Sequence, residues 1–323
     1  MWIDLETKTT EQSKIRLHYP NNHFHHYYGF GLHIVSEFEC PELSPIAAAH
    51  SSPDVVIRVG LVPSILEGRQ LDDGFSQVKP DAYLLRLDNI ANYHVTNGCE
   101  IVVQPQASCS DSLVRLYLFS QCIGALLHQR HQLILHASAI ATDQGALIFM
   151  GPSGSGKSTL AAGLIDTGYK LLAEDLCALE FSPGRGFQVL PGMAQLRLWH
   201  DTIQQLGHNK KLMQKVWQKE DKYSRLLQDE LASVPTALKM IYWLNPADVE
   251  TVEITPLSLP EMTAAIVKNI FRGEYTQALG VQKRLFRQTA ELIRAGQICQ
   301  LTRPRNGFSL INQITLLQKV HSL

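Results

Sequence analysis

The sequence has no Cys-x-x-Cys pair. Its six cysteines, Cys40, Cys99, Cys109, Cys122, Cys177 and Cys299, are scattered, which argues against a structural zinc site and against the framework of a small disulfide-bonded fold. Charge of one sign is not in excess either. The formal net charge is −1, so no overall field draws nucleic acid or an anionic membrane, and neither is expected as a partner. No apolar run approaches the length of a membrane span, and Met1-Trp-Ile-Asp-Leu-Glu lacks the basic start of a secretory signal, so the expected compartment is the cytoplasm. Internal repeats, low-complexity tracts and blocks of like charge are missing as well. What remains is 323 residues, 45% hydrophobic and 18% charged, a composition suited to one large or two modest globular domains.

The one dense motif is Gly151-Pro-Ser153-Gly154-Ser155-Gly156-Lys157-Ser158-Thr159, a full match to the phosphate-binding pattern G-x-x-x-x-G-K-[ST]. Its glycines let successive backbone N–H groups turn inward on an anion. Lys157 and the following helix N-terminus add positive potential, and the Ser158 hydroxyl is placed for a Mg²⁺ ion bridging the outer phosphates. The flanks agree with the motif: Ala146–Met150 reads as a buried strand before it, and Thr159–Ile165 as a helix after it, with Gly168 at its C-terminal stop. The implied ligands are ATP and Mg²⁺, with Gly151, Ser153, Gly154, Ser155, Gly156, Lys157, Ser158 and Thr159 as the nucleotide-binding set.

Upstream, short alternating segments read as strands: 29–35, 54–59, 83–87, 93–96 and 100–104, with Asn97-Gly98 as a strong hairpin signal. His23, His25, His26 and His33 fall close together, but no cysteine or acid beside them has a ligand spacing, so loop histidines are expected there rather than a metal site. Ser110-Asp111 opens a packing helix to about His128. Leu133–Ala141 reads as a strand joined to Ala146–Met150 by the hairpin-like Thr142-Asp-Gln-Gly145. That places His136 one strand from the loop, as either a core histidine or a site residue.

After the loop helix, Tyr169–Ala173 is a buried-strand run that ends in Glu174-Asp175. Adjacent carboxylates there suit Mg²⁺, because buried acids are costly without a cation. Residues 177–181 and 187–190 read as a hairpin. Arg197, in Gln195–Trp199, could reach phosphate or lie solvated. Helices are expected over 201–206, 210–229, 259–271 and 274–295, and a strand over 239–244. The basic stretch from Lys268 to Arg305 reads as a solvated helix face.

Leu135-His136-Ala, Gly151–Thr159 and Leu171-Leu-Ala-Glu174-Asp175, in this order and spacing, resemble the core of HPr kinase/phosphorylase and its shorter serine-kinase relatives. The stretches 28–43, 126–130 and 191–199 resemble the short relatives too, and the likeness thins after about residue 245. It implies an α/β fold: a P-loop kinase core of the HPr kinase/PEP carboxykinase type over residues 109–323, preceded by a mostly β domain over 1–108. It further implies transfer to a serine or similar hydroxyl on a peptide, protein or small molecule. Lys157 would bind phosphate, Ser158 and Asp175 would hold Mg²⁺, Arg197 would lie near the nucleotide, and His136 would orient the base. The family's catalytic aspartate is Glu174 here, a carboxylate one methylene longer. Full-length members form hexamers, but the N-terminal region differs from theirs and that assembly does not carry across, so a homo-oligomer is left as an open expectation. A non-catalytic nucleotide-binding module is the competing reading. A transporter-type ATPase is disfavoured because no Leu-Ser-Gly-Gly signature is found.

Overall fold

The computed structural model describes residues 24–48, 52–216 and 221–322. The chain is mixed α/β, with two large sheets. In the first, strands β1 (His25–Gly29), β2 (Leu32–Ser36), β3 (Ser44–Pro45), β4 (Val55–Val59), β5 (Leu71–Asp72), β6 (Ser76–Lys79), β7 (Ala82–Leu87), β8 (Ala91–Thr96) and β9 (Glu100–Pro105) lie in the order β3-β1-β2-β4-β9-β8-β7-β6-β5. The stretch 29–35, expected as one strand, is a hairpin. Phe30 and Gly31 take positive φ at 58° and 76°, and the fully buried Phe30 donates its N–H to Pro191 O at 2.6 Å. Tertiary burial holds the aromatic in a turn conformation that its side chain alone disfavours. Asn97-Gly98 does close β8 on β9.

One helical run follows: α1 (Asp111–Tyr117), a π turn (Leu118–Cys122) and α2 (Ile123–Gln129). Leu118, Phe119, Cys122 and Ile123 sit in a hydrophobic cluster that also takes in Tyr93 and Val95 of the first sheet and Ile134 and Ile148 of the second. Tyr93 anchors the contact by donating its hydroxyl to Val114 O at 2.9 Å.

The second sheet begins with β10 (Leu133–Leu135), β11 (Ala137–Thr142) and β12 (Gly145–Met150). Then come α3 (Lys157–Asp166), β13 (Lys170–Ala173), β14 (Cys177–Ser182) and β15 (Gly186–Val189). A small side sheet interrupts: β16 (Gln195–Trp199), α4 (His200–Gln205), β17 (Gln214–Lys215) and β18 (Lys222–Leu226). The main sheet resumes with β19 (Thr236–Ala247), β20 (Glu253–Pro256), helices α5 (Leu259–Lys268) and α6 (Gln282–Arg294), β21 (Ile298–Pro304) and α7 (Leu310–His321). Thus β12 lies between β11, its antiparallel hairpin partner, and β19, to which it is parallel, while β19 runs parallel to β21.

Strand β12 is apolar at every position from Ala146 to Met150 because both of its faces are covered. Ile148 and Met150 pack into the cluster with α2 and Phe271, whereas Leu147 and Phe149 face Leu160, Leu164, Leu310 and Ile314 of α3 and α7. The period of two along the strand therefore sorts its side chains into two cores.

The expected helix over 210–229 is not formed. Among the described residues this stretch holds a 3₁₀ turn (Lys210–Leu212), β17 and β18, with β18 paired along its length to β16. Backbone pairing with Gln195–Trp199 overrides the local helical preference of a Lys- and Gln-rich segment. The helix expected over 274–295 is likewise confined to α6: a 3₁₀ turn (Gly273–Tyr275) comes first, and Gly280 at φ 70° breaks helical geometry before Gln282. Helix α5 ends at Lys268 and carries a full capping box between Ser258 and Glu261. Of the four clustered histidines, His23 lies outside the described residues. His26 and His33 stack, with ring nitrogens 3.1 Å apart, and no group of three or more metal-ligating side chains occurs among the described residues. No described helix is long and apolar enough to cross a membrane.

Gly145 fixes the entry to β12. Its φ is 119°, and a Cβ there would lie 2.7 Å from Ala237 O on the parallel neighbour. Gly145→Ala should destabilise the chain by about 1–3 kcal/mol, the usual cost of such a backbone conformation. Thermal unfolding checks this, and an unchanged midpoint would mean that the strand entry can relax.

Candidate functional site

The glycine-rich loop leaves β12 at Gly151 (φ 150°) and reaches α3 through Gly154 (φ 79°) and Gly156 (φ 103°). A side chain at Gly151 would press on Leu244 O of β19 at 2.9 Å, so the loop needs glycine there for space as well as for conformation. Lys157 is buried and donates its ammonium to Gly151 O at 2.9 Å and Pro152 O at 3.2 Å. Burial lowers its pKa. Ser155 is buried, its hydroxyl without a partner among the described residues. Ser153 and Thr159 line the cleft, and the Thr159 hydroxyl lies 3.4 Å from that of Thr202 on α4. Asn269, which follows α5, holds the loop's first residue by accepting the Gly151 N–H at 3.3 Å, and its carbonyl takes the His136 N–H at 2.7 Å.

The paired acids occupy a tight turn after β13. The Leu176 N–H closes back on Glu174 O at 2.8 Å, and Asp175 between them takes φ 69°, a strained γ-turn conformation for a residue with a Cβ. The turn sends the two carboxylates to different partners. Glu174 is 4% exposed. It accepts the Ser138 hydroxyl of β11 at 2.6 Å and a short hydrogen bond from the Ser158 hydroxyl of the loop. Asp175 receives Arg197 of β16 at 2.8 Å and faces His136 Nδ1 at 3.1 Å.

The electrostatics of the two acids differ accordingly. Burial pushes the Glu174 carboxyl upward, opposed by its two hydroxyl hydrogen bonds. Burial acts on Asp175 in the same direction but is outweighed by the hydrogen bond from His136 and the charges of Arg197 and Lys222, which hold that carboxyl well below the usual range. Glu174, Asp175, Lys157, Ser158, His136, Arg197, Trp199 and Lys222 line one cleft of about 260 Å³.

The structure therefore brings the expected phosphate, metal and catalytic residues around one turn and one loop, with one difference in pairing. Ser158, expected to share a cation with Asp175, is hydrogen-bonded to Glu174 instead. Four contributors escaped the sequence reading. Ser138 had a signal, since it stands two residues beyond His136, although the strand expected over 133–141 is broken at His136 into β10 and β11, which pair with different neighbours. Lys222 lay in a stretch read as helix. Trp199 closes the stretch 191–199 but carries no chemical signal of its own, and Asn269 has no motif and is brought to the first residue of the loop only by the fold.

No family model matches the chain, and no curated protein matches it. Among solved structures, the HPr(Ser) kinase/phosphatase from Coxiella burnetii is similar with a TM-score of 0.30 and 12% identity, over 58% of this chain and 97% of that one. A likeness at that level leaves the chemistry to be read from the side chains themselves.

Because the folded state holds the Glu174 proton more tightly than the unfolded chain does, this group lowers stability as pH rises from the ordinary glutamate range through its raised folded value. In metal-free protein, Glu174→Gln should raise the melting temperature at pH 7.5 on the order of 2–4 °C, roughly what 1 kcal/mol moves a large domain. The gain should shrink toward pH 4.5. A variant less stable than wild type at both values would show that the charge is compensated where it sits.

Proposed function

We propose that the chain is a nucleotide- and Mg²⁺-dependent kinase that moves the terminal phosphoryl group of a nucleoside triphosphate to a hydroxyl, on a serine of a peptide or protein or on a small molecule. The observation that carries this reading is the hydrogen bond from the loop hydroxyl of Ser158 to the buried carboxylate of Glu174, with a second carboxylate, Asp175, next to it in the same cleft. A glycine-rich loop alone would suit any phosphate ligand. The acids beside it suit transfer.

The donor set fits a hard cation. Glu174 is buried, touches only hydroxyl donors and has no ion-pair partner among the described residues. Carboxylate, hydroxyl and phosphate oxygens are what Mg²⁺ takes when it is bound largely by substrate. Glu174 and Ser158 would hold it, and the ion would neutralise charge on the outer phosphates. Lys157 would exchange its contacts with the Gly151 and Pro152 carbonyls for phosphate oxygens.

Asp175 then takes the acceptor side. Its depressed pKa keeps it ionised at neutral pH, able to orient an acceptor hydroxyl and receive its proton as that oxygen bonds to phosphorus and the nucleoside diphosphate leaves. A weak base suffices, because the loose transition state of phosphoryl transfer asks mainly for positioning and charge neutralisation. His136 and Arg197 fix the carboxylate's direction. This exchanges the two roles that the sequence resemblance implies, where Glu174 is the base and Asp175 the metal ligand.

Variants separate these assignments. Glu174→Gln should abolish the Mg²⁺ dependence of ATP binding measured by calorimetry. Asp175→Asn should bind MgATP normally and lose transfer by ~10²–10⁴-fold, the usual worth of a positioned base. The opposite pattern would return the base to Glu174. Lys157→Ala should weaken binding and stop turnover. A wild-type protein that binds MgATP yet phosphorylates no peptide, protein or free hydroxyl offered to it would favour a nucleotide-binding module.

A further inference from the structure

Of the cations around the acidic cleft, Lys157 belongs to the loop and Arg197 is fixed on Asp175 at 2.8 Å. Lys222 has no such assignment. It lines the cleft, makes no ion pair among the described residues, and holds its Nζ 5.6 Å from the ring centroid of Trp199. The side sheet sets this position. Strands β16 and β18 pair Trp199 with Lys222 and Arg197 with Ser224, and residues two apart on a strand share a face. Arg197, Trp199 and Lys222 therefore stand together over the acids, with the Trp199–Lys222 pair one two-residue step, about 7 Å, beyond Arg197. Trp199 is 47% exposed and Lys222 half-buried, so the pair forms a lip with one aromatic face and one charge. The charge of Lys222 acts on both Asp175 and Lys157, which leaves two uses for it, the transferring phosphate or the acceptor. The phosphate is already provided for by the loop N–H groups, Lys157 and the cation site at Glu174 and Ser158. A cation on the lip, beside an exposed indole, suits the acceptor.

We propose that the acceptor carries a carboxylate beside its hydroxyl, on the same residue or the adjacent one, and that Lys222 receives this carboxylate while the apolar part of the acceptor lies on Trp199. The hydroxyl then meets Asp175, and the acceptor's own charge is held on the solvent side of it. A neutral acceptor would have no use for Lys222. An anionic one needs it, because Glu174 and Asp175 would otherwise repel it, and the same ammonium penalises an acceptor with a cation beside its hydroxyl. The inference rests on the kinase reading above and names the acceptor class within it.

Transfer by the full-length protein with MgATP, measured on matched acceptors, tests it. The acceptors are blocked pentapeptides with serine beside an aspartate, an asparagine or a lysine, and glycerate with glycerol as the small-molecule pair. In the pair that is turned over, the carboxylate-bearing member should have a kcat/KM higher than its neutral twin by about tenfold or more, the scale of a charge-assisted hydrogen bond; which pair responds tells a peptide source from a free hydroxy acid. Lys222→Gln should bring the twins within about threefold of each other and leave MgATP affinity by calorimetry within the same margin. Lys222→Glu should turn the preference toward the lysine peptide. Equal rates for the twins, a preference that survives Lys222→Gln, or a Lys222→Gln variant that loses MgATP affinity would each overturn the proposal, the last by giving Lys222 to the donor. If MgATP binds and no acceptor is phosphorylated, the kinase reading falls and the proposal with it.

Discussion

The site depends on a carboxylate that is almost fully buried at the floor of a cleft. Glu174 is enclosed by the sheet, the glycine-rich loop and the side sheet, and its two oxygens are met by the hydroxyls of Ser138 and Ser158. Two neutral hydrogen bonds do not return the hydration that an ionised acid loses on burial. The fold nevertheless keeps the acid buried, at the end of a short strand whose residues Leu171–Ala173 are buried, and follows it with a strained turn. Both features cost stability and neither is needed to close a loop. Their common result is a charge that binding of a cation would satisfy.

Asp175 shows what the same burial does when compensation is supplied. It adjoins Glu174 in sequence, yet the γ-turn points it at Arg197 and His136, and its pKa moves in the opposite direction. Two acids, one peptide bond apart, are thereby given unlike protonation behaviour by their neighbours alone. The positive φ of Asp175 is the geometric means of that separation.

Much of this was legible in the sequence where the chain obeys local rules. The loop motif, the hairpin leading into it, the Asn97-Gly98 turn and the acids after a continuous apolar run all announce themselves through composition and spacing. Legibility failed where distant partners decide. Lys222–Leu226 reads as helical until Gln195–Trp199 pairs with it, and Phe30 turns a strand back because a pocket holds its ring. The order of the paired acids could not be read either. Which carboxylate meets Ser158 depends on a backbone dihedral, and adjacency in sequence says nothing about the direction a turn gives to each side chain.

The hairpin of β11 and β12 also compresses the site along the chain. It brings Ser138, the loop, α3 and the acid pair into one unbroken stretch, so that everything touching the Glu174 carboxylate is encoded between residues 138 and 174. His136 just precedes that stretch, whereas Arg197, Lys222 and Asn269 come from later segments. A change in one of those segments would alter a wall of the cleft and leave the Glu174 carboxylate with both of its hydroxyl partners.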